Sequence, residues 1–270
     1  MEQTRPHGPV QRAAQILSNH RLSDVCYQLT LHAPEAAQRC VPGQFAMVSL
    51  SERGVPYVRR PFAIAWSDDA NCIQLVYEVA GKGTSLLSRM EPGGILGLIA
   101  PLGNGFDLAL AKRSALLVAG GVGVSSLMEL ARTLSLGGCA LTAVLGAQSK
   151  GGLVRQDAFE ALGARTVVCT DDGSAGDRCN PADAVRALLQ KQAAFDAAYV
   201  CGPDPMMRAV SEAVRSAHIP CQVSLERCMG CGFGVCMGCS VRVWGKDGIQ
   251  QKRVCREGPV FHAQEVIWNG

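Results

Sequence analysis

Basic runs are scarce in this sequence. The longest is "VRR" at 58–60, and a net charge of +3 is spread over 270 residues. Neither a nucleic-acid-binding patch nor a membrane-surface patch is expected from such a pattern. Long apolar runs are also missing, since none approaches the roughly 20 residues that a membrane span needs. The opening "MEQTRPHGPVQRAAQ" is polar and lacks the apolar centre of a secretory signal, so a cytoplasmic chain is expected. There is no internal repeat and no low-complexity tract.

Cysteine, by contrast, is plentiful: the chain has thirteen. The odd count, the length and the lack of a secretory signal argue against a disulfide framework. Eight are scattered (Cys26, Cys40, Cys72, Cys139, Cys169, Cys179, Cys201 and Cys221), and free cysteines of this kind usually serve as small buried hydrophobes. The other five, Cys228, Cys231, Cys236, Cys239 and Cys255, fall within 28 residues. Clustered thiols in a reducing compartment predict metal ligation.

With 48% hydrophobic and 18% charged residues, the chain is of ordinary globular composition, long enough for one large domain or two to three small ones. Three textures follow one another. Residues 1–108 carry short apolar or alternating runs: "DVCYQLTLHAP", "CVPGQFAMVSL", "RRPFAIAWSDD", "CIQLVYEVAGKG" and "GILGLIAPLG". Val25, Tyr27, Leu29 and Leu31 alternate at period two, as do Ile73, Leu75, Tyr77 and Val79, which predicts a small antiparallel barrel or sandwich. Residues 109–219 alternate strands ("SALLVAGG", "ALTAVLGA", "RTVVCTDDG", "DAAYVCGP") with helices ("SSLMELARTLSL", "LVRQDAFEALG", "PADAVRALLQKQ", "PMMRAVSEAVRSAH"). That order predicts a parallel sheet covered on both faces. Residues 220–270 form a cysteine- and glycine-rich tail that needs a staple to fold.

Two loops in the middle domain point to a nucleotide. "LLVAGGVGVSSL" sets Gly120, Gly121 and Gly123 between a strand and a helix, where a diphosphate can approach the backbone. Ser126 stands at the third fingerprint position. "YVCGPDPMM" repeats the strand-to-helix turn with Cys201 and Gly202, and both loops belong at the carboxyl edge of the sheet. After a third strand, Asp171 and Asp172 would repel a ribose 2′-phosphate, favouring NAD over NADP. In the first domain Arg60 is suited to a phosphate, and Gly83 with Thr84 offer it an amide and a hydroxyl. Thr84 is equally suited to capping "SLLSRM".

Among the five clustered cysteines, Cys231, Cys236 and Cys239 read C-x4-C-x2-C, and fifteen residues separate them from Cys255. This is the plant-type 2Fe–2S spacing. A rival quartet, Cys228, Cys231, Cys236 and Cys239, reads C-x2-C-x4-C-x2-C and is open to zinc, although paired zinc knuckles usually lie further apart.

Taken in order, "PGQFAMV", "RRPFAIA", "YEVAGKGT", "PLGNGF", "AGGVGVSSL", "TDDGS", "CGPDPMM", "CGFGVCMGC" and "VCREGPVF" resemble the electron-transfer subunit of dihydroorotate dehydrogenase B, in the ferredoxin reductase superfamily. The likeness spans about residues 15–268. It implies a multi-domain chain: an antiparallel Greek-key β-barrel binding one FAD (1–108), an α/β domain binding exchangeable NAD (109–219) and a small tail with one 2Fe–2S cluster (220–270). By this resemblance the flavin motif falls on Arg60, Pro61, Phe62 and Ala63. A second flavin stretch falls on Tyr77, Glu78 and Val79, with Gly83 and Thr84 following, and the cluster ligands are Cys231, Cys236, Cys239 and Cys255. Ala63 replaces the family's serine, Ser125 and Ser126 stand where proline is usual, and Cys228 has no counterpart.

The resemblance also implies a role and a partner. An FMN-containing catalytic subunit would oxidise dihydroorotate, in a heterotetramer of two of each chain, and electrons would cross the cluster and FAD to NAD in pyrimidine (UMP) biosynthesis. Rival readings are a reductase subunit serving a ferredoxin, a hydrogenase or a sulfur-reducing complex, and a zinc-stapled module without enzymatic activity.

Overall fold

The computed structural model describes residues 8–50, 58–67, 71–191 and 193–268. The first seven residues of the polar opening, Asp68 and Asp69 at the end of "RRPFAIAWSDD", and Gln192 lie outside them.

Six strands close a barrel: β1 (Val10–Arg21), β2 (Cys26–His32), β3 (Phe45–Ser49), β4 (Arg60–Ser67), β5 (Cys72–Glu78) and β6 (Ile95–Leu102). Their order is β1-β2-β5-β4-β3-β6 and all neighbours are antiparallel. Alternation turns Leu29, Leu31, Ile64, Ile73, Leu75 and Leu96 into the interior, where they form one core. Two short helices, α1 (Pro34–Ala37) and α2 (Lys82–Leu87), sit in the connections. The long β1 was not apparent in the sequence, because only Ala14 and Ile16 of its twelve residues are buried. It nevertheless closes the barrel by pairing with both β2 and β6.

The α/β region has strands β7 (Ser114–Gly120), β8 (Ala140–Ala147), β9 (Arg165–Thr170), β10 (Ala197–Cys201) and β11 (Cys221–Ser224). Between them run helices α3 (Val124–Leu136), α4 (Gln156–Ala161), α5 (Pro181–Gln190) and α6 (Asp204–Ser216). The expected helix over "LVRQDAFEALG" is shorter than its sequence run. Arg155 adopts a left-handed backbone (φ 64°), and the helix begins only after it. The tail contributes a hairpin, β12 (Ser240–Gly245) with β13 (Gly248–Arg253), and a last strand β14 (Val260–His262). The sheet order is β14-β11-β10-β7-β8-β9, parallel except for the β14 edge. Residues past 219 therefore supply both β11 and β14 to the α/β sheet.

The units are packed together. Helix α3 lies on β4: the Ser67 amide donates to the Glu129 carboxylate at 3.1 Å, and Arg132 sits 5.1 Å over the Trp66 ring. One apolar core joins Phe45 and Met47 of the barrel, Val118 and Val200 of the sheet, and Cys239, Val254 and Cys255 of the tail. The motif "PLGNGF" ties the tail to the barrel end. Asn104 donates its amide to the Gly258 carbonyl (2.6 Å) and its side-chain amide to the Glu257 carbonyl (2.9 Å).

Candidate cofactor and cluster sites

Strands β7 and β10 are neighbours, but their chain continuations leave in opposite directions across the sheet, through β8 on one side and β11 on the other. This reversal opens a crevice at the carboxyl ends of the strands. Here lies a cleft of about 1140 Å³ between barrel and α/β domain, floored by Gly120, Gly121 and Gly123 and flanked by Gly202. A Cβ at Gly123 would stand 2.5 Å from the Cys201 carbonyl oxygen, so only glycine lets the two loops approach this closely. The barrel contributes Asp24, Val25, Cys26 and Glu78 to the other wall.

Of the two aspartates, Asp171 lines the cleft. Asp172 instead accepts from the Ser174 hydroxyl (2.6 Å) and amide (2.9 Å), which hold its carboxyl below the usual range. Cys201 is fully buried behind the loop. Burial and the nearby Glu226 charge push its thiol up to about 12, so it stays neutral. Walls of the cleft also raise the Glu226 carboxyl, helped by Asp204 and Glu78.

On the barrel, Arg60–Ala63 lie in β4 and Tyr77–Glu78 in the adjacent β5. The Arg60 guanidinium runs directly over Gly83, where any side chain would overlap it. Thr84 acts as the cap: its hydroxyl accepts from the Ala80 and Gly81 amides (3.0 and 3.2 Å). Tyr77 is turned into the barrel core, its ring 5.7 Å from those of Tyr27 and Phe62 and its hydroxyl donating to Asn19 at 3.0 Å. Burial raises the pKa of this phenol. Of that stretch, Glu78 is exposed and Val79 half-buried. The buried Nε of Arg59, beside Arg60, lacks a hydrogen-bond partner. An unpartnered guanidinium nitrogen and a basic residue lying over glycine suit an anionic group such as a dinucleotide phosphate.

The cysteine loop is wound by glycines with positive φ, Gly232 (82°) and Gly234 (92°), and by Met237 (61°). Its amides turn toward sulfur: Val235 and Cys236 donate to Cys231 Sγ at 3.3 and 3.5 Å. Burial alone would raise the Cys231 thiol, but hydrogen bonds from Cys236, Phe233 and Val235 outweigh it and hold it down to about 6. Cys255 donates its amide to Cys239 Sγ at 3.4 Å. Burial and the adjoining Cys239 push the Cys255 thiol up to about 12.

Backbone amides thus link the four cysteines in two pairs, Cys236 to Cys231 and Cys255 to Cys239. Among the described residues no three or more His, Cys, Asp or Glu side chains converge on one ion position. Two thiolates per iron is the donor set of a two-iron cluster, and amides aimed at sulfur stabilise the charge that such a cluster places there. The residues present therefore fit a 2Fe–2S cluster better than a single tetrahedral ion. Cys228 stands exposed, three residues ahead of the first ligand candidate.

A family model for the iron–sulfur cluster binding domain of dihydroorotate dehydrogenase B matches residues 226–267. Over nearly the whole chain, the electron transfer subunit of dihydroorotate dehydrogenase B (NAD(+)) from Geobacillus kaustophilus is 40% identical, covering 93% of this chain and 96% of that protein. The chain belongs to this family. A second member, from Desulforamulus reducens, is 36% identical over 94% of this chain and 97% of its own.

The solved structure of an NADH-dependent reduced ferredoxin–NADP oxidoreductase, described for flavin-based electron bifurcation, superposes with a TM-score of 0.84 at 31% identity. It covers 94% of this chain and 90% of that one. A ferredoxin reductase of carbazole 1,9a-dioxygenase shares the fold at a TM-score of 0.68 and 20% identity, over 80% of this chain and 68% of that one.

Membership carries the electron-transfer role, the oxidoreductase assignment and the cofactor set read from the sequence: FAD, a 2Fe–2S cluster and NAD. An electron transfer subunit of dihydroorotate dehydrogenase B also implies a catalytic partner subunit. Among the described residues no helix is long and apolar enough to cross a membrane.

The structure brings Gly121, Gly123, Gly202, Asp171 and Glu78 to one cleft, with Asp172 and Cys201 off its surface. Cys231, Cys236 and Cys239 share one loop that Cys255 meets from beyond β13, whereas Arg60–Ala63 alternate along β4 and Tyr77 faces the barrel core. Reading the sequence missed Met47, which seats the cluster loop, and Glu226 at the cleft. Met47 falls within the "PGQFAMV" motif, but neither its residue type nor that of Glu226 announces a role that arises through long-range packing.

Proposed function

We propose that this chain takes up electrons that an FMN-containing partner removes from dihydroorotate and delivers them to NAD, in the cytoplasm, as a step of de novo UMP synthesis. We further propose a heterotetramer of two of each chain. The three-module division at residues 108 and 219 is part of this reading, with β11 and β14 counted as the tail's attachment to the sheet.

The observation that carries it is the seating of the cysteine loop. Gly232 rests on Met47 of β3, and Met47 pairs with Pro61 in the β4 stretch proposed for the flavin. The cleft proposed for NAD opens beside Glu78 of β5, the other neighbour of β4. When bound, FAD supplies the exchange between two-electron hydride chemistry and the one-electron chemistry of the cluster.

The chain's own residues do the holding and orienting. Arg60, braced over the Gly83 that precedes Thr84, offers positive charge at the head of the Pro61–Ala63 stretch, while Phe62 and Val79 back it from the barrel core. Gly121 and Gly202 leave backbone open to a diphosphate, while the buried Gly123 lets their two loops meet. Asp171 faces the cleft, where a ribose hydroxyl would bond and a 2′-phosphate would be repelled. Cys201 stays protonated and fills the space behind. Cys231, Cys236, Cys239 and Cys255 hold the cluster, with amides of Val235, Cys236 and Cys255 stabilising sulfur charge. Exposed Phe233, Val235 and Met237 surround the loop and suit a partner surface.

A second reading, a reductase subunit serving a ferredoxin, is favoured by the 0.84 TM-score to the NADH-dependent ferredoxin–NADP oxidoreductase. Co-purification decides between them. With an FMN-containing dihydroorotate-oxidising partner, the complex should reduce NAD at the expense of dihydroorotate. Reduction of a ferredoxin by NADH without such a partner would favour the second reading. The zinc-stapled alternative is disfavoured by the iron–sulfur family match over residues 226–267 and by the plant-type cysteine spacing.

A further inference from the structure

Two of the scattered cysteines are not independent. Cys169, at the end of β9, and Cys179, just before α5, place their sulfurs 3.0 Å apart, and both are free thiols. The intervening loop is pressed onto β9: Asp177 donates its amide to the Val168 carbonyl at 2.9 Å, and its carbonyl accepts from the Thr170 amide at 3.0 Å. Gly176, at φ +62°, lies where a Cβ would stand 2.8 Å from Val168 Cβ. The loop's packing thus holds the sulfurs together. Cys169 is fully buried and Cys179 half-buried, so the pair has one accessible member and one protected member.

The pair frames the ribose side of the cleft. Cys169 lies two residues before Asp171 and Cys179 directly before Asn180 and Pro181, and all three of these line the cavity. We propose that Cys169 and Cys179 are a reversible disulfide site that fastens this loop and thereby weakens NAD(H) binding. The effect on binding rests on the reading of the cleft as the NAD site. The disulfide itself does not.

The oxidant is a low-molecular-weight disulfide. The Cys179 thiolate attacks one of its sulfurs, the original S–S bond breaks, and one thiolate leaves. Cys169 sulfur then attacks the mixed disulfide at Cys179, releases the second thiol and gives up its proton. Two protein thiols are oxidised and one disulfide is reduced to two thiols. Reaching an S–S bond of about 2.05 Å requires the sulfurs to close by about 1 Å, a movement shared between side-chain rotation and shifts of the segments that carry Asp171 and Asn180. Displacements of that size at a binding wall are costly. Desolvation and the adjoining thiol keep the Cys169 pKa raised, which assigns the first attack to Cys179. Transient sensing disulfides of this kind are the ones found in reducing compartments.

Trypsin separates the two residues, cutting after Arg165, Arg178 and Arg186 to leave peptides 166–178 and 179–186. The flavin- and cluster-loaded complex is treated anaerobically with glutathione disulfide, alkylated, digested and weighed. The expected result is a cross-linked pair of these peptides, two hydrogens lighter than the free peptides together, removed by dithiothreitol and absent from Cys179→Ser. NADH KM should rise several-fold in step with the cross-link, with kcat unchanged, and Cys179→Ser should show neither change. Separate alkylation or glutathionylation of the two cysteines, with no cross-link, overturns the site. A cross-link with unaltered KM in protein that binds NADH overturns the coupling to the cleft. Failure of the reduced protein to bind NADH would instead count against the NAD reading, leaving the cross-link to stand on its mass.

Discussion

Gly232 of the cysteine loop lies on Met47 of barrel strand β3, so closely that a Cβ there would stand 2.8 Å from Met47 Sδ. At φ +82° the backbone is also left-handed, a conformation that costs a side-chain-bearing residue about 1–2 kcal/mol. Two requirements thus meet at one glycine: the loop must turn there, and it must touch the barrel there. This contact sets the cluster loop against the strand that pairs with the proposed flavin stretch.

Gly232→Val should lift the loop from the barrel. Iron content per chain should fall well below that of the wild type, while FAD content stays near one per chain. NADH-dependent reduction of ferricyanide, which the flavin can serve directly, should survive better than electron transfer to the partner. Full iron content with normal transfer to the partner would show that the contact is incidental.

Four of the five clustered cysteines should be indispensable to the cluster. Serine in place of Cys231, Cys236, Cys239 or Cys255 should abolish iron–sulfur absorbance, whereas Cys228→Ser should leave iron and spectrum unchanged. Iron and zinc analysis of the five variants decides this. Loss of metal in the Cys228 variant would reassign the ligand set.

At the cleft, Gly123→Ala places a methyl 2.5 Å from the Cys201 carbonyl oxygen and must spread the β7 and β10 loops. NADH KM should rise by about tenfold or more, equivalent to roughly 1.4 kcal/mol of lost binding, with flavin occupancy unchanged. Steady-state kinetics with NADH and ferricyanide measures it.

The two aspartates should separate in the same assay. Asp171→Asn removes the charge facing the cleft and should narrow the preference for NADH over NADPH. Asp172→Asn weakens the cap on Ser174 without touching the cleft, so the NADH/NADPH preference should hold while thermal stability falls slightly. Equal effects on preference would mean that the loop turns over when the nucleotide binds.

Much of this was legible in the sequence because the signals are local. Period-two alternation marks β2 and β5, and glycines between a strand and a helix mark the β7–α3 turn. The spacing of Cys231, Cys236, Cys239 and Cys255 marks the cluster loop. What stayed hidden depends on distant partners. Strand β1 exposes most of its side chains, so its pairing with β2 and β6 leaves little apolar pattern. The tail reads as cysteine-rich and irregular, yet Cys221–Ser224 and Val260–His262 are short strands specified by the sheet edge they join. The alternation of Ile73, Leu75 and Tyr77 already puts the Tyr77 ring on the inward face, and the closed barrel shows it there rather than on a flavin-contacting surface. Arg155 shortens α4 by adopting a left-handed backbone while its guanidinium reaches Gln28 across the domain boundary at 2.5 Å. Nothing near Arg155 in sequence announces that partner.

The central claim, that this chain carries electrons between an iron–sulfur cluster, a flavin and NAD, is tested most directly by one spectrum. Anaerobically purified protein is scanned in the visible before and after NADH, with iron, zinc and flavin determined on the same sample. The expected result is one FAD and two irons per chain, no zinc, and bleaching of both the flavin and the iron–sulfur absorbance by NADH. A colourless protein with zinc and no flavin, or a flavin that NADH leaves oxidised, would contradict it.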